Sequence, residues 1–151
     1  LGISFSRYKN SAGYCSLAML LNVNDDAEIE LQKVFCVVDV GEVVDVAGVK
    51  SQVEGGIIQA ASWSLYEQVT YEATGITSRD WDSYPIISFN NIPEINIEII
   101  DRPGSPYLGV GEIAAGPTGA SIANAINDAI GLRLREMPFN SEAIKSAALS
   151  N

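Results

Sequence analysis

Two runs of alternating apolar and polar residues, joined by a short turn, constrain the fold of this chain more than any other feature. The run Tyr14–Val23 has apolar side chains at every second position, and the run Ile29–Asp39 follows the turn-forming triplet 24–26. We expect the runs to pair as an antiparallel hairpin with apolar residues opposite one another. The expected opposite pairs are Val23 with Ile29, Leu21 with Leu31, and Leu17 with Phe35.

The same register bears on the only two cysteines of the chain. It predicts that Cys15 faces Val37 and that Cys36 points to the other side of the sheet, so a disulfide between them is not expected. The chain has no histidine and no CxxC pair, so zinc sites, iron–sulfur sites and Ser-His-Asp or Cys-His catalysis are not expected from its own residues. Any metal chemistry must therefore come with a cofactor.

Two further segments have the spacing of amphipathic helices. The first is Val46–Gln68, and the second is Pro117–Ile130, which has a proline in its first turn and Gly131 as its stop. The remaining elements expected are a hairpin or bulged strand in Thr70–Trp81, a strand Glu94–Ile100 with its isoleucine side toward the core, a short strand Leu132–Met137, and a terminal helix from Ser141. The sequence predicts an α+β fold in which antiparallel strands pack with two long helices.

Length and charge limit the classes of protein to consider. The 151 residues fit a single domain, 1–151, and the formal net charge of −10 excludes a nucleic-acid groove, which needs clustered Lys and Arg. No apolar run reaches the roughly 20 residues of a membrane span. The acids Asp39, Glu42 and Asp45 are interpreted as a solvated turn. Because the chain begins at Leu1 without Met or a signal segment, we expect it to be part of a longer polypeptide.

One acid stands between glycines just before the second helix. Glu112 follows Gly109 and Gly111, and the helix after it is built from small residues. Backbone amides and the positive end of the helix dipole are expected to reach a carboxylate placed there. Spacing alone also fits an ordinary loop acid whose glycines only make a turn.

A pair of glycines interrupts the first long helix. Gly55 and Gly56 each cost about 1 kcal/mol relative to Ala in a helix interior, which indicates that something approaches the backbone closely. Gln52, Gly56 and Gln59 are predicted to share one face of the helix. The alternative is a tight crossing with another helix, with the glutamines at its solvated edge.

Several sequence blocks occur together in a characteristic order. They are 37–41, 52–56, 109–112, 124–126 and 131–138, and residues 79–85 add a further block. Together they resemble the C-terminal part of the molybdopterin-binding large subunits of the xanthine oxidase/aldehyde oxidase family, nearest to its bacterial nicotinate/isoquinoline-type dehydrogenases. The resemblance implies a fragment of the molybdopterin-binding domain of that family.

The resemblance carries expectations about function. It implies hydroxylation of an N-heteroaromatic or aldehyde with water as the oxygen source, and Glu112 as the catalytic general base. It also implies that Gln52, Gly55, Gly56 and Gly111 bind a molybdenum–pterin cofactor in its cytosine dinucleotide form, completed by residues outside this chain.

Partners implied in the same way are the rest of the large subunit, iron–sulfur electron-transfer subunits with FAD or cytochrome, and a small-molecule substrate. The compartment implied is the bacterial cytoplasm or periplasm, and the isolated fragment is expected to be inactive. The alternative is a non-catalytic α+β binding or interaction module whose glycine pairs serve packing only.

Overall fold

The computed structural model describes residues 1–150 as strands on one side and helices on the other. The strands are β1 (Gly2–Arg7), β2 (Tyr14–Val23), β3 (Ile29–Asp39), β4 (Tyr71–Glu72), β5 (Gly75–Ile76) and β6 (Glu94–Ile100). The helices are α1 (Val46–Leu65), α2 (Ala115–Ile130) and α3 (Ser141–Leu149), and short 3-10 turns cover Tyr8–Asn10 and Phe89–Asn91. The predicted α+β class is confirmed.

The main sheet has four strands in the order β1-β2-β3-β6. Strands β1, β2 and β3 pair antiparallel, whereas β6 lies parallel to β3. A parallel neighbour requires a crossover connection, which the segment containing α1 supplies between β3 and β6. Strand β1, which the sequence pattern did not predict, forms the edge next to β2.

Helices α1 and α2 cover one face of this sheet and form the core with it. The alternation in β2 places Leu17 and Met19 inward, where they are almost fully buried. Val53 and Ile57 of α1 and Ile122 of α2 close over them from the helix layer. The core therefore lies between the inner sheet face and these two helices.

A bulge at Gln32 changes the predicted register of the β2–β3 hairpin. Pairing shifts between Leu20, opposite Lys33, and Leu21, opposite Leu31, so Gln32 is an extra residue in β3. The predicted pairs at the turn end are confirmed, but Leu17 lies opposite Cys36, not Phe35.

The same bulge overturns the predicted placement of the cysteines. Cys15 lies opposite Val38 instead of Val37, and Cys36 points to the inner face, not the outer one. Both are buried free thiols, and their sulfur atoms are 3.5 Å apart. One inserted residue explains the error because side chains alternate between faces along a strand.

Two helix bounds differ from the predicted ones, and one predicted strand does not form. Helix α1 ends at Leu65, not Gln68, and α2 begins at Ala115, two residues before Pro117. Residues 132–137 form no strand. Gly131 ends α2 as predicted, with a φ of 74° and its N–H donating to the Asn127 carbonyl at 2.9 Å.

Candidate functional site

Glu112 lies in a turn that joins the loop after β6 to α2. The loop is fixed to the end of β3, because the N–H of Arg102 donates to the Gly41 carbonyl at 3.1 Å and that of Leu108 to the Val40 carbonyl at 2.9 Å. Ile113, next to Glu112, is buried in the core. The chain on both sides of Glu112 is therefore held, while its own side chain stays exposed.

Of the acids predicted to form a solvated turn, Glu42 and Asp45 are exposed in the loop before α1, whereas Asp39 is buried at the end of β3. Asp39 is buried, forms a salt bridge with Arg102 and accepts the N–H of Gly41. Asp45 caps α1 by accepting the Ala47 N–H at 3.0 Å, and Glu42 accepts the Gly104 N–H at 3.1 Å. The contacts of Asp39 and Glu42 order the loop that leads to Glu112, whereas the contact of Asp45 orders the start of α1.

The hydrogen-bond donor to Glu112 is a tyrosine that the sequence pattern did not single out. The phenol of Tyr8 donates to Glu112 Oε2 at 2.6 Å, across a separation of 104 residues. Helix amides were expected to hold this carboxylate, but within residues 1–150 no backbone N–H donates to it. The turn points the side chain toward the β1–β2 loop instead of back over α2.

The contact also changes the electrostatics of the phenol. The hydrogen bond to Glu112 raises the pKa of Tyr8, because the negative carboxylate favours the neutral, donating phenol. Lys9 lies over the Tyr8 ring, with its Nζ 5.1 Å from the ring centroid. A phenol is already protonated at neutral pH, and the contact with Glu112 extends that donor state to higher pH.

Gln52 is brought to the same place from α1. A methyl group at Gly111 would lie 3.8 Å from Gln52 Oε1, so the glutamine amide lies directly beside the glycine that precedes Glu112. Residues distant in sequence that were predicted to share a site are therefore neighbours. The structure brings Gln52, Gly111 and Glu112 together on an exposed surface.

The two adjacent glycines of α1 have different surroundings. Gly55 is exposed between Gln52 and Gln59, and a methyl group there would have no atom within 4 Å. Gly56 is buried, and a methyl group there would lie 3.7 Å from Ala114 Cβ, an ordinary contact. The exposed face predicted to hold Gly56 therefore holds Gly55, and Gly56 faces the start of α2.

The face around Gly55 leaves the backbone of α1 open to an approaching ligand. The gap above Gly55 is one that a side chain would fill, and the Gln52 amide beside it offers both a donor and an acceptor. No neighbour within the chain requires glycine at this position, although Gly weakens a helix by about 1 kcal/mol relative to Ala. The residues present fit an amide-bearing ring such as a pterin.

The rest of the described range offers no metal site and one larger groove away from Glu112. Within residues 1–150 no group of three or more His, Cys, Asp or Glu side chains could hold a metal ion. A groove of about 670 Å³ opens near Leu65, at the far end of α1. Gln52 and Leu65 are about 20 Å apart along the helix axis, so this groove is separate from Glu112.

Within residues 1–150, no helix has the length and apolar character that crossing a membrane requires.

Comparison with known proteins identifies the family of the chain. Residues 7–93 match the family model of the molybdopterin cofactor-binding domain. The chain is 36% identical over 153 residues to a nicotinate dehydrogenase subunit of Pseudomonas putida, covering 97% of this chain and 13% of that protein. It is 30% identical over 140 residues to an isoquinoline 1-oxidoreductase subunit of Brevundimonas diminuta, covering 92% and 18%.

Solved structures have the same fold. Quinoline 2-oxidoreductase from Pseudomonas putida matches with a TM-score of 0.84 at 24% identity, over 92% of this chain and 19% of that one. Aldehyde oxidoreductase from Desulfovibrio desulfuricans matches with a TM-score of 0.78 at 27% identity, over 89% and 15%. The chain spans less than a fifth of the length of each of these relatives.

The fold and the family match define a cofactor-binding domain of the α+β class. The family match and the relatives named above make the assignment specific. The chain belongs to the molybdopterin cofactor-binding domain family of the xanthine oxidase type of molybdenum enzymes.

Proposed function

We propose that the full-length subunit is a molybdenum hydroxylase in which Glu112 is the general base. The observation that carries this is an exposed carboxylate, fixed at one oxygen by Tyr8, on the residue that follows the glycine beside the Gln52 amide. The substrate is an N-heteroaromatic or an aldehyde, the oxygen comes from water, and electrons leave through iron–sulfur partners with FAD or cytochrome. Relatives named as nicotinate, isoquinoline and aldehyde enzymes support this substrate class.

The two carboxylate oxygens of Glu112 have different roles in this proposal. Oε2 accepts the Tyr8 hydroxyl, so the free oxygen, Oε1, takes the proton when water or substrate gives it up. A positioned general base contributes roughly 10²–10⁴-fold to rate. The exposure of Glu112 leaves room for a substrate on the side away from Tyr8.

Gln52, Gly55, Gly56 and Gly111 form this chain's part of the cofactor pocket. Gln52 hydrogen-bonds the pterin, Gly55 leaves the helix backbone bare for it, and Gly56 and Gly111 lie where α1 meets the segment that carries Glu112. When bound, the molybdenum–pterin group supplies a two-electron redox centre. We infer that it is the cytosine dinucleotide form, with its phosphates held by residues outside this chain.

The cofactor role of the exposed glycine predicts an unusual response to substitution. Gly55→Leu is expected to leave the fold intact or stabilise it by roughly 1 kcal/mol, because Leu is the better helix former and has free space there. In the full-length enzyme the same change is expected to lower molybdenum and pterin content severalfold, because the side chain occupies the bare face. Metal analysis after gel filtration, with circular dichroism, measures both effects.

A second exposed position on the same helix provides the control. Lys50→Leu adds the same side chain away from the Gln52–Gly55 face and is expected to leave cofactor content unchanged. Full cofactor content in Gly55→Leu would show that this face is solvent in the holoenzyme. A well-folded full-length protein that never contains molybdenum would support the alternative of a non-catalytic interaction module.

The isolated chain is expected to fold but to be inert. The sheet and helices of this chain bury a hydrophobic core between them. A dinucleotide cofactor, however, needs hydrogen-bond donors to its phosphates from several loops, and the chain has 9 Lys and Arg in total. Ile3, Phe5 and Phe35 are exposed on the sheet face opposite the helices and are expected to drive dimer formation. Stoichiometric molybdenum retained by the 151 residues after gel filtration would contradict this expectation.

A further inference from the structure

The loop that presents Tyr8 is held in a strained conformation. Lys9 and Asn10, the two residues after Tyr8, have positive φ angles of 50° and 58°. The left-handed region costs a non-glycine residue about 1–2 kcal/mol, with asparagine the more tolerant, and such backbone persists only where its surroundings enforce it. Here the Tyr8 N–H donates to the Gly13 carbonyl at 2.8 Å, and the Ala12 N–H donates to the Tyr8 carbonyl at 2.9 Å.

The loop is also packed against the residue next to Glu112. A methyl group at Gly13 would lie 2.7 Å from Ile113 Cδ1 and 2.6 Å from the Asp39 carbonyl oxygen, so this approach requires glycine. Ile113 is 1% exposed and directly follows Glu112. The loop and the Glu112 turn are therefore joined twice, by this apolar contact and by the Tyr8 hydrogen bond.

We propose that Tyr8 is the positioning residue of Glu112. Its hydroxyl fixes the carboxylate by holding Oε2, and it directs Oε1 toward the reacting molecule. The proposal rests on the proposed function, in which Glu112 is the base. Tyr8 itself exchanges no proton in the reaction, since it donates to the ionised carboxylate and stays neutral.

Neighbouring groups do not take over this role. Lys9 stacks its ammonium over the Tyr8 ring, and within residues 1–150 no salt bridge reaches Glu112. Without the phenol hydroxyl, the exposed carboxylate can rotate about its terminal bonds, because no other group within residues 1–150 hydrogen-bonds to it. The fraction of enzyme molecules in which Oε1 faces the reacting molecule then falls. The affinity for substrate, which depends on contacts elsewhere in the pocket, does not fall.

The kinetic test uses the full-length, cofactor-loaded enzyme. Tyr8→Phe removes only the hydroxyl and is expected to lower kcat about tenfold, with KM and molybdenum content unchanged. A tenfold fall corresponds to the loss of one hydrogen bond to a charged group. Tyr71→Phe is the matched control, because Tyr71 is exposed on the β4–β5 hairpin, and it is expected to retain full kcat. Unchanged kcat in Tyr8→Phe, or an equal fall in Tyr71→Phe, would overturn the proposal.

A titration tests the contact without using activity. The difference in tyrosinate absorbance between the wild-type enzyme and Tyr8→Phe isolates the Tyr8 phenol, whose pKa is raised by Glu112. Glu112→Gln is expected to lower that midpoint, because it removes the negative charge beside the phenol. An unmoved midpoint would mean that the two groups are not in contact in the enzyme, which also overturns the proposal.

The two measurements separate failure of this proposal from failure of the proposed function. If Glu112→Gln abolishes turnover while Tyr8→Phe is fully active, the base stands and the positioning role is wrong. If Glu112→Gln stays active while the Tyr8 midpoint moves, the contact exists but Glu112 is not the base.

Discussion

Replacing Glu112 with Gln in the full-length, cofactor-loaded enzyme is expected to lower kcat by roughly 10²–10⁴-fold. Gln is nearly isosteric and its carbonyl oxygen can still accept the Tyr8 hydroxyl, so the turn and the Tyr8 contact are retained. What is lost is the ability to take a proton. Because only chemistry is affected, molybdenum and pterin content are expected to stay at the wild-type level.

The matched control for this prediction is another exposed glutamate. Glu98 lies on β6 with its side chain exposed, and Glu98→Gln makes the same charge change away from the site. It is expected to keep near-normal kcat. Steady-state kinetics and metal analysis on both variants check the prediction, and near-normal turnover in Glu112→Gln would remove Glu112 from the mechanism.

A large loss of stability is expected from Gly41→Ala. Gly41 has a φ of 75°, and a methyl group there would overlap the Pro106 carbonyl oxygen. The unfavourable φ and the clash act together, so we expect destabilisation on the order of 3 kcal/mol or more. For a chain of this size that lowers Tm by roughly 6–12 °C, measured by circular dichroism on the isolated chain.

A glycine with open surroundings gives the opposite sign. At Gly55 a methyl group meets no atom within 4 Å, so Gly55→Ala is expected to raise stability by about 0.5–1 kcal/mol through helix propensity alone. If Gly41→Ala also melts at the wild-type temperature or above, the loop around Pro106 is free to move away. The contact between the end of β3 and the loop leading to Glu112 would then be weaker than the structure indicates.

Local patterns predicted the elements that bury one regular face. Glu94–Ile100 alternates with its isoleucines against the core, and α2 ends at Gly131, because each of these signals depends on neighbouring residues alone. The proximity of Gln52 to the Glu112 turn followed from the family resemblance. Spacing alone does not join residues that lie on separate elements.

Strand β1 shows why a local pattern can mislead. Its large apolar side chains, Ile3 and Phe5, point away from the helices and are exposed, while its inner positions are small. Ser4 on the inner face donates to the Pro117 carbonyl at 2.6 Å, so close contact with α2 takes the place of apolar burial. A pattern search that assigns the apolar face to the core finds too few residues here to recognise a strand.

The bulge at Gln32 and the Tyr8–Glu112 contact were beyond prediction for a related reason. An extra residue in a strand leaves no mark in composition, yet it reverses which side chains face inward beyond it. The Tyr8 contact spans 104 residues and depends on two loops meeting. Both are set by tertiary packing and not by the residues around them.

The strained loop has a consequence for how errors propagate in this fold. It connects β1 to β2 and begins where Arg7 pairs with Tyr14, so the alignment of that hairpin sets the direction of the Tyr8 side chain. A slip of one residue would turn Tyr8 away from Glu112, because successive side chains alternate between faces. The position of the Glu112 carboxylate is thereby tied to the strand alignment at the beginning of the chain, so under the proposed function a slip at that edge would lower kcat.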